Sequence, residues 1–389
     1  MTRFWFPLLV LVASIPSVTL LLRGLVWGSD SFAFWSVSCG NVLYANSLSS
    51  PVWFVVAIQN IVNCNLIVLA FLMFLFYFLA LLGLYFFGKN FVEKEVWRFP
   101  FYVALLTPLF FVEVLRFEND FFGWSLALIG LGVFSLALTK KSIILFALSG
   151  CCMLFSYQLW QPSIFFIVLA WFLVPISSLF KYVGVLVSLL SILLPKTSYV
   201  VGSFTNGIGL NSVAEEIPLV GLVFVLHILH LYKKIPFPLI YYGIFLLLLG
   251  ALKSKYMFLA VPLLVLGVLL KQQKEGLSFK KTLFGVKEIP VLYVCLILGI
   301  GYFFMGLNMY PTTLDLNEMS YAIKLSRDQN VMLYNDWGDG WTFVSLGYDT
   351  NYKISYPNPD WNNLPKPFVA WSKEKIEGCV KVSKHIQQC

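Results

Sequence analysis

Residues 61–87 read IVNCNLIVLAFLMFLFYFLALLGLYFF, a run of largely apolar residues without one charged side chain. A helix needs about 20 apolar residues to cross the hydrocarbon core of a bilayer. The stretch therefore predicts a transmembrane helix, and similar runs recur along the chain. Eleven such runs lie between charge breaks, at about 4–22, 61–87, 99–115, 121–139, 142–158, 163–180, 182–195, 217–232, 237–252, 257–270 and 289–307.

The composition of the whole chain agrees with this pattern. Its 389 residues are 59% apolar and only 12% charged, about half the charged fraction of a typical soluble domain. The net charge of +8 comes from basic residues spread over short loops, unlike the clustered basic patch of a nucleic-acid-binding protein. We predict an α-helical polytopic membrane protein with about 11 transmembrane helices and no nucleic-acid partner. The runs at 163–180 and 182–195 could instead form one long broken helix.

The distribution of basic residues predicts the orientation of the chain. Arg3 precedes an apolar run that is too long for an ordinary signal core, so we interpret the run as the first span. With a cytoplasmic N-terminus, fourteen Lys and Arg residues lie in inside segments and five lie in outside loops before residue 308. The five are Arg23, Arg116, Lys196, Lys253 and Lys255. Because inside loops are enriched in Lys and Arg, we predict a multi-pass cell-membrane protein whose C-terminal tail is extracytoplasmic.

The composition changes at about residue 308, which divides a transmembrane domain, 1–307, from a soluble tail, 308–389. The tail carries eight Lys and Arg and nine Asp and Glu residues. Leu316–Leu325 predicts a short helix, and two segments predict strands, Asn330–Tyr334 and Pro367–Trp371. We expect a small C-terminal extracytoplasmic α/β domain, of a size that often needs additional stabilisation.

Cysteines offer that stabilisation, because an outside location permits disulfides. Cys379 and Cys389 form one possible pair in the tail, and Cys39 and Cys64 form a second possible outer pair. The remaining cysteines, Cys151, Cys152 and Cys295, lie within predicted spans and are interpreted as small apolar packing residues.

An acidic residue follows the first span, in a loop from 23 to 60 (loop 1). Asp30 lies in the sequence Gly28-Ser-Asp-Ser-Phe-Ala-Phe-Trp35. It precedes an apolar stripe that is typical of a helix in the membrane interface, formed by Phe32, Phe34, Trp35, Val42 and Leu43. Asp30 is a candidate functional residue, but with Ser29 it could also simply cap this helix.

A second acidic site lies in the short loop after the third span. Glu118 and Asp120 lie within Arg116–Phe122, close to the membrane surface. Carboxylates at the edge of a bilayer are costly to desolvate, which makes them functional candidates. One of them could instead have a capping role, since Asn119 or Asp120 could precede the fourth span as its cap. Glu113, deeper in the third span, is a third candidate.

A basic and aromatic stretch, Lys253-Ser-Lys-Tyr256, lies in a predicted outside loop and departs from the positive-inside trend. A phosphate group at the outer headgroup level would explain the two lysines. They could also extend to lipid headgroups, and Arg116 has the same two interpretations.

These motifs together resemble the GT-C superfamily of membrane glycosyltransferases, which includes protein O-mannosyltransferases and aminoarabinose transferases. The resemblance covers the topology of 1–307. Asp30 matches the acidic position of the family's first outer loop, although members often have two acids there. Glu118 and Asp120 match the second-loop position. Lys253, Lys255 and Tyr256, followed by Pro262, are similar to the stretch that meets the donor phosphate.

The resemblance implies transfer of a sugar from a polyprenyl-phosphate (dolichyl-phosphate) donor to a glycan, lipid or protein acceptor on the extracytoplasmic face. Asp30 would accept the proton of the acceptor hydroxyl. Glu118 or Asp120 would orient the acceptor or support the base. Lys253, Lys255, Tyr256 and Arg116 would bind the donor phosphate. We predict no metal site and no required cofactor, although the three carboxylates could serve as ligands of a divalent metal.

Two other functions are open to such a sequence. A polytopic transporter or lipid flippase would place its polar groups near the middle of the bilayer and often shows internal repeats. Here the charged candidates lie at the outer edge, and the two halves show no convincing repeat. A noncatalytic subunit of a glycan-assembly complex would tolerate substitution of Asp30 and Glu118.

Overall fold

A computed structural model of the chain describes residues 5–23, 29–40, 51–92, 96–106, 119–167, 238–250, 257–275, 313–336, 342–343, 346, 352–355 and 360–389. Within these ranges the protein is mostly helical and has a small C-terminal sheet. The helices are α1 (Trp5–Arg23), α2 (Ser29–Ser38), α3 (Val52–Ala57), α4 (Leu66–Gly88), α5 (Arg98–Leu106), α6 (Asn119–Lys140), α7 (Ile143–Leu159), α8 (Pro238–Gly250), α9 (Met257–Glu275) and α10 (Thr313–Asp328).

Among the described residues, α1, α4 and α6 are long and apolar enough to cross a membrane. They correspond to the predicted spans 4–22, 61–87 and 121–139. Helices α5, α7, α8 and α9 overlap four further predicted spans, 99–115, 142–158, 237–252 and 257–270. The other predicted spans lie wholly or mostly outside the described residues, so the count of eleven stays a prediction.

The start of the second span differs from the prediction. The apolar run begins at residue 61, but α4 begins at Leu66. Asn63 and Cys64 adopt left-handed backbone conformations, with φ of 42° and 55°, which a continuous right-handed helix cannot include. Asn65 then caps α4, since its side-chain oxygen accepts hydrogen bonds from the backbone N–H groups of Ile67 (3.0 Å) and Val68 (3.2 Å). The apolar pattern does not show this break because the interrupting residues are few.

Close backbone contact holds α4 against α6. A Cβ atom placed on Gly132 would lie 2.4 Å from the Cα of Gly83, so only glycine permits this approach. Ser135 Oγ donates a 2.7 Å hydrogen bond to the backbone oxygen of Phe86 across the same interface. Small residues and hydroxyl bonds of this kind are typical of helix pairs in membranes, where burial of apolar area from water gives no driving force.

Contacts along the helices define their relative directions. Phe76 and Phe122 meet nearer the starts of α4 and α6, and the Ser135 bond to Phe86 lies nearer their ends, so the two helices are parallel. In α7, Ser149 and Ser156 donate to the backbone oxygens of Gly130 and Gly123 in α6, at 2.8 Å and 2.6 Å. Helices α6 and α7 are therefore antiparallel.

Helix α1 packs against α4 in the opposite direction. Trp5, the first residue of α1, stacks on Tyr85 near the end of α4, with ring centroids 4.7 Å apart. One end of this helix group therefore contains the end of α1, the starts of α4 and α6, and the end of α7. We call it the loop 1 end, because loop 1 connects α1 to α4 there.

The C-terminal sheet has five strands, in the order β2-β1-β3-β5-β4. Strand β1 pairs in parallel with β2 and β3, and β5 pairs antiparallel with both β3 and β4. The strands are β1 (Met332–Asp336), β2 (Tyr352–Ser355), β3 (Phe368–Trp371), β4 (Val380–Lys381) and β5 (Ile386–Gln388). Helix α10 packs on β1 and β3.

The predicted elements of the tail are confirmed with small shifts. The predicted helix 316–325 is α10, and the predicted strands 330–334 and 367–371 are β1 and β3. Strands β2, β4 and β5 were not predicted, because they are only four, two and three residues long and such short strands carry little hydrophobic periodicity. The predicted domain boundary near 308 lies outside the described residues.

Both possible disulfides are present. Cys379 bonds Cys389 and Cys39 bonds Cys64, with Cα atoms 4.3 Å and 4.4 Å apart. The first joins the start of the β4–β5 hairpin to the C-terminal residue. The second joins the residue after α2 to the turn before α4.

Candidate functional site

Loop 1 contains a helix at the place where the sequence predicts an interfacial one. Helix α2 begins at Ser29, so Asp30 lies in its first turn. The helix ends at Ser38, and Gly40 follows in the left-handed region with φ of 88°. The predicted apolar stripe is therefore confirmed as helical only in its first part. Val42 and Leu43 lie outside the described residues.

A second short helix, which the sequence did not reveal, follows in loop 1. Helix α3 continues into a π-helical turn at Ile58–Val62. The indole N–H of Trp53 donates a 2.7 Å hydrogen bond to the side-chain oxygen of Gln158, near the end of α7. Together with the Cys39–Cys64 disulfide, this bond anchors loop 1 at both of its described segments.

Asp120 lies at the loop 1 end, where it is half-buried. Helix α6 begins at Asn119, so Asp120 is inside the first turn and does not precede the helix as a cap. A carboxylate in this turn is stabilised by the positive end of the helix dipole. Asn119 is the first residue of α6, and its side-chain N–H donates a 3.0 Å hydrogen bond to the backbone oxygen of Leu159 at the end of α7.

An aromatic series, formed by contacts between Phe34, Phe54 and Phe122, connects α2 to α6, the helices that contain Asp30 and Asp120. Phe34 in α2 contacts Phe54 in α3 with ring centroids 6.0 Å apart, and Phe54 contacts Phe122 in α6 at 5.4 Å. Asp30 lies one helical turn before Phe34, and Asp120 lies two residues before Phe122. The first turns of α2 and α6, which contain the two acidic residues, thus belong to one packed unit at the loop 1 end.

An apolar cavity of about 120 Å³ adjoins this aromatic series. It lies between α3, the π-helical turn, α4 and α6, and it is lined by side chains that include Phe54, Ile58, Leu72, Phe76 and Phe122. A cavity of this size can accept several methylene groups of a hydrocarbon chain.

The other predicted site residues lie outside the described residues. These are Glu118, Arg116, Lys253, Lys255 and Tyr256, together with Glu113. Their predicted roles in binding acceptor and donor stay predictions.

Another polar cluster, in the tail, was not predicted. Asp315 and Glu318 lie three residues apart in α10, and His385 immediately precedes β5. His385 Nδ1 lies 3.0 Å from Glu318 Oε2 and 3.8 Å from Asp315 Oδ1. The Asp-x-x-Glu spacing is visible in the sequence, but its histidine partner is 67 residues from Glu318. Only the fold brings them together.

Glu318 is held by a set of donors. Its Oε1 atom accepts a 3.0 Å hydrogen bond from the backbone N–H of His385 and another from the Ser383 hydroxyl. Burial alone would raise the pKa of the Glu318 carboxyl. The hydrogen bonds from Ser383 and His385 and the charge of His385 together outweigh burial and lower this pKa. Glu318 is therefore ionised at neutral pH. An ionised carboxylate can only accept hydrogen bonds, so Glu318 Oε2 accepts the one that it forms with His385 Nδ1.

No protein-family model matches the chain, and no relative was found among curated proteins.

Proposed function

We propose that this protein is a membrane glycosyltransferase, which moves a sugar from a polyprenyl-phosphate donor to an acceptor hydroxyl on the extracytoplasmic face. The observation that carries the proposal is the contact series from Phe34 through Phe54 to Phe122. It supports a reaction site at the loop 1 end, because it joins α2 and α6, whose first turns contain Asp30 and Asp120.

The proposed reaction is a displacement at the anomeric carbon of the donor sugar. The acceptor oxygen forms a bond to this carbon, while the bond from carbon to phosphate oxygen breaks and the lipid phosphate leaves with the electron pair. Asp30 accepts the proton of the acceptor hydroxyl as the new bond forms. Glu118 and Asp120 orient the acceptor, and Lys253, Lys255, Tyr256 and Arg116 stabilise the charge that develops on the phosphate.

The apolar cavity supports a lipid-linked donor. It is lined by Phe54 and Phe122. A hydrocarbon chain in the cavity would therefore end near the first turns of α2 and α6, which contain Asp30 and Asp120. Because the lipid of such a donor already lies in the hydrocarbon of the bilayer, the cavity would position the chain through packing rather than through burial from water. The proposed reaction requires no metal, because a phosphomonoester is already a good leaving group.

The first test is an assay of the purified protein with radiolabelled polyprenyl-phosphate sugars. We expect sugar transfer or donor hydrolysis by the wild type and a loss of about 10²–10⁴-fold in Asp30→Asn. The control is Asp328→Asn, which removes an exposed carboxylate at the end of α10 and should leave turnover unchanged.

The other outcomes of this assay distinguish the remaining functions. If there is no turnover but a donor raises the thermal unfolding temperature, the acceptor is missing from the assay. Near-normal transfer by Asp30→Asn contradicts the role of Asp30 as base. Neither turnover nor stabilisation across a panel of donors would favour a transporter or a noncatalytic subunit.

A further inference from the structure

The cluster in the tail has the donor set of a metal site. Asp315, Glu318 and His385 each offer one ligand atom, and these atoms lie within 4.8 Å of one another. The three side chains are only 10%, 16% and 6% exposed, respectively. We propose that they bind one divalent transition-metal ion, with Zn²⁺ as the preferred occupant. This proposal is independent of the transferase assignment.

The charge of the cluster favours a cation. Two carboxylates face one imidazole, so the three groups carry net negative charge whether or not the imidazole is protonated. Buried charges are costly unless they are paired or coordinate a metal. A divalent cation in this site would be attracted by both carboxylates at once.

The two separations that involve His385 Nδ1 are close to those of a coordination sphere, and all three ligand atoms lie within 4.8 Å of one another. Nitrogen and oxygen ligands lie about 2.0–2.2 Å from Zn²⁺, which places neighbouring ligand atoms about 3–3.5 Å apart. The 3.0 Å separation of His385 Nδ1 and Glu318 Oε2 already matches. The 3.8 Å separation of Nδ1 and Asp315 Oδ1 needs a shift of a few tenths of an ångström. On binding, the metal takes the place of the Nδ1 proton, which is released to solvent.

Neighbouring groups hold two of the ligands in position. Glu318 Oε1 is occupied by the Ser383 hydroxyl and the His385 backbone N–H, which leaves Oε2 directed at Nδ1. Trp371 packs against the imidazole ring with centroids 4.8 Å apart. Partners of this kind fix the orientation of metal ligands. The imidazole favours Zn²⁺ over Mg²⁺ or Ca²⁺, which prefer all-oxygen sites.

Metal content and affinity test the proposal directly. The full-length protein in detergent is treated with EDTA and then titrated with Zn²⁺ by equilibrium dialysis and calorimetry. We expect one tightly bound ion per chain, an affinity that falls as the pH is lowered because protons compete for the ligands, and a higher unfolding temperature that EDTA reverses.

Three variants locate the ion. Asp315→Asn removes one charged ligand but leaves the hydrogen bonds between Glu318 and His385, so it should fold and bind Zn²⁺ at least about ten-fold more weakly. Asp328→Asn, at the exposed end of the same helix, should bind as the wild type does. The double variant His227→Gln/His230→Gln should also bind normally, which excludes the other histidines of the chain.

X-ray absorption at the zinc edge provides a test that does not depend on the folding of variants. We expect one imidazole and otherwise oxygen ligands. Sulfur in the coordination sphere would assign the ion to cysteines and overturn the proposal. So would the lack of saturable binding, or equal affinity in Asp315→Asn and the wild type.

Discussion

At the scale of the residue, the contact between Gly83 and Gly132 decides how two helices pack. Each glycine faces the other helix, and a Cβ on Gly83 would lie 2.2 Å from the backbone oxygen of Leu128. Neither helix can give way locally, because the opposing atoms belong to backbone. Gly150 in α7 provides a contrast, since a Cβ there would meet nothing within 4 Å.

We predict that Gly132→Ala destabilises the protein by about 1–3 kcal/mol, the usual cost of overpacking a close interface. Gly150→Ala should leave stability unchanged or raise it slightly, because alanine is the better helix former. Thermal unfolding in detergent measures both variants. Equal unfolding temperatures for the two would show that α4 and α6 do not pack through this contact.

At the scale of the element, loop 1 is held at two points. The Cys39–Cys64 disulfide joins the end of α2 to the start of α4, and the Trp53–Gln158 hydrogen bond joins α3 to α7. Such anchoring suits a loop with a function at its base, since a reactive group needs a fixed position.

We predict that Cys39→Ala/Cys64→Ala lowers stability by about 3 kcal/mol, because the disulfide closes a loop with a sequence separation of 25 residues. Limited digestion with chymotrypsin should then cleave loop 1 faster than in the wild type. The matched control is Cys151→Ala/Cys152→Ala, which removes two free cysteines of α7. If both double variants resist digestion equally, packing alone holds loop 1.

At the scale of the whole molecule, the two disulfides constrain the topology. Disulfides persist in oxidising compartments, so both pairs are expected on the same side of the membrane. The chain must then cross the membrane an even number of times between Cys64 and Cys379. If α1 also crosses the membrane, this expectation agrees with an odd number of spans, as in the eleven that the sequence predicts.

We predict that an epitope tag after Cys389 is removed by protease added to intact cells, whereas a tag at the N-terminus is protected. A tag inserted after Lys141, in the turn between α6 and α7, should also be protected because this turn lies opposite the loop 1 end. Protection of the C-terminal tag would require an even number of spans or a reversed orientation.

The apolar helices, the α/β character of the tail and the two possible disulfides could be predicted from the amino-acid sequence alone. Each of these features depends on local composition or on the pairing of few cysteines. A long apolar run, for example, forms a helix because only internal hydrogen bonds satisfy its backbone in a membrane. The break at Asn63 and Cys64 escaped prediction because it depends on two backbone angles within an apolar run.

Tertiary structure alone decided which of these elements meet. The contacts from Phe34 to Phe54 to Phe122 join three segments whose aromatic residues resemble many others in the chain, so composition could not single them out. The spacing of Asp315 and Glu318 is visible in the sequence, although the predicted helix began only at Leu316, and His385 reaches them only because β5 pairs with β3 beneath α10. Long-range packing depends on how complete surfaces fit together, and no local pattern of residues contains that information.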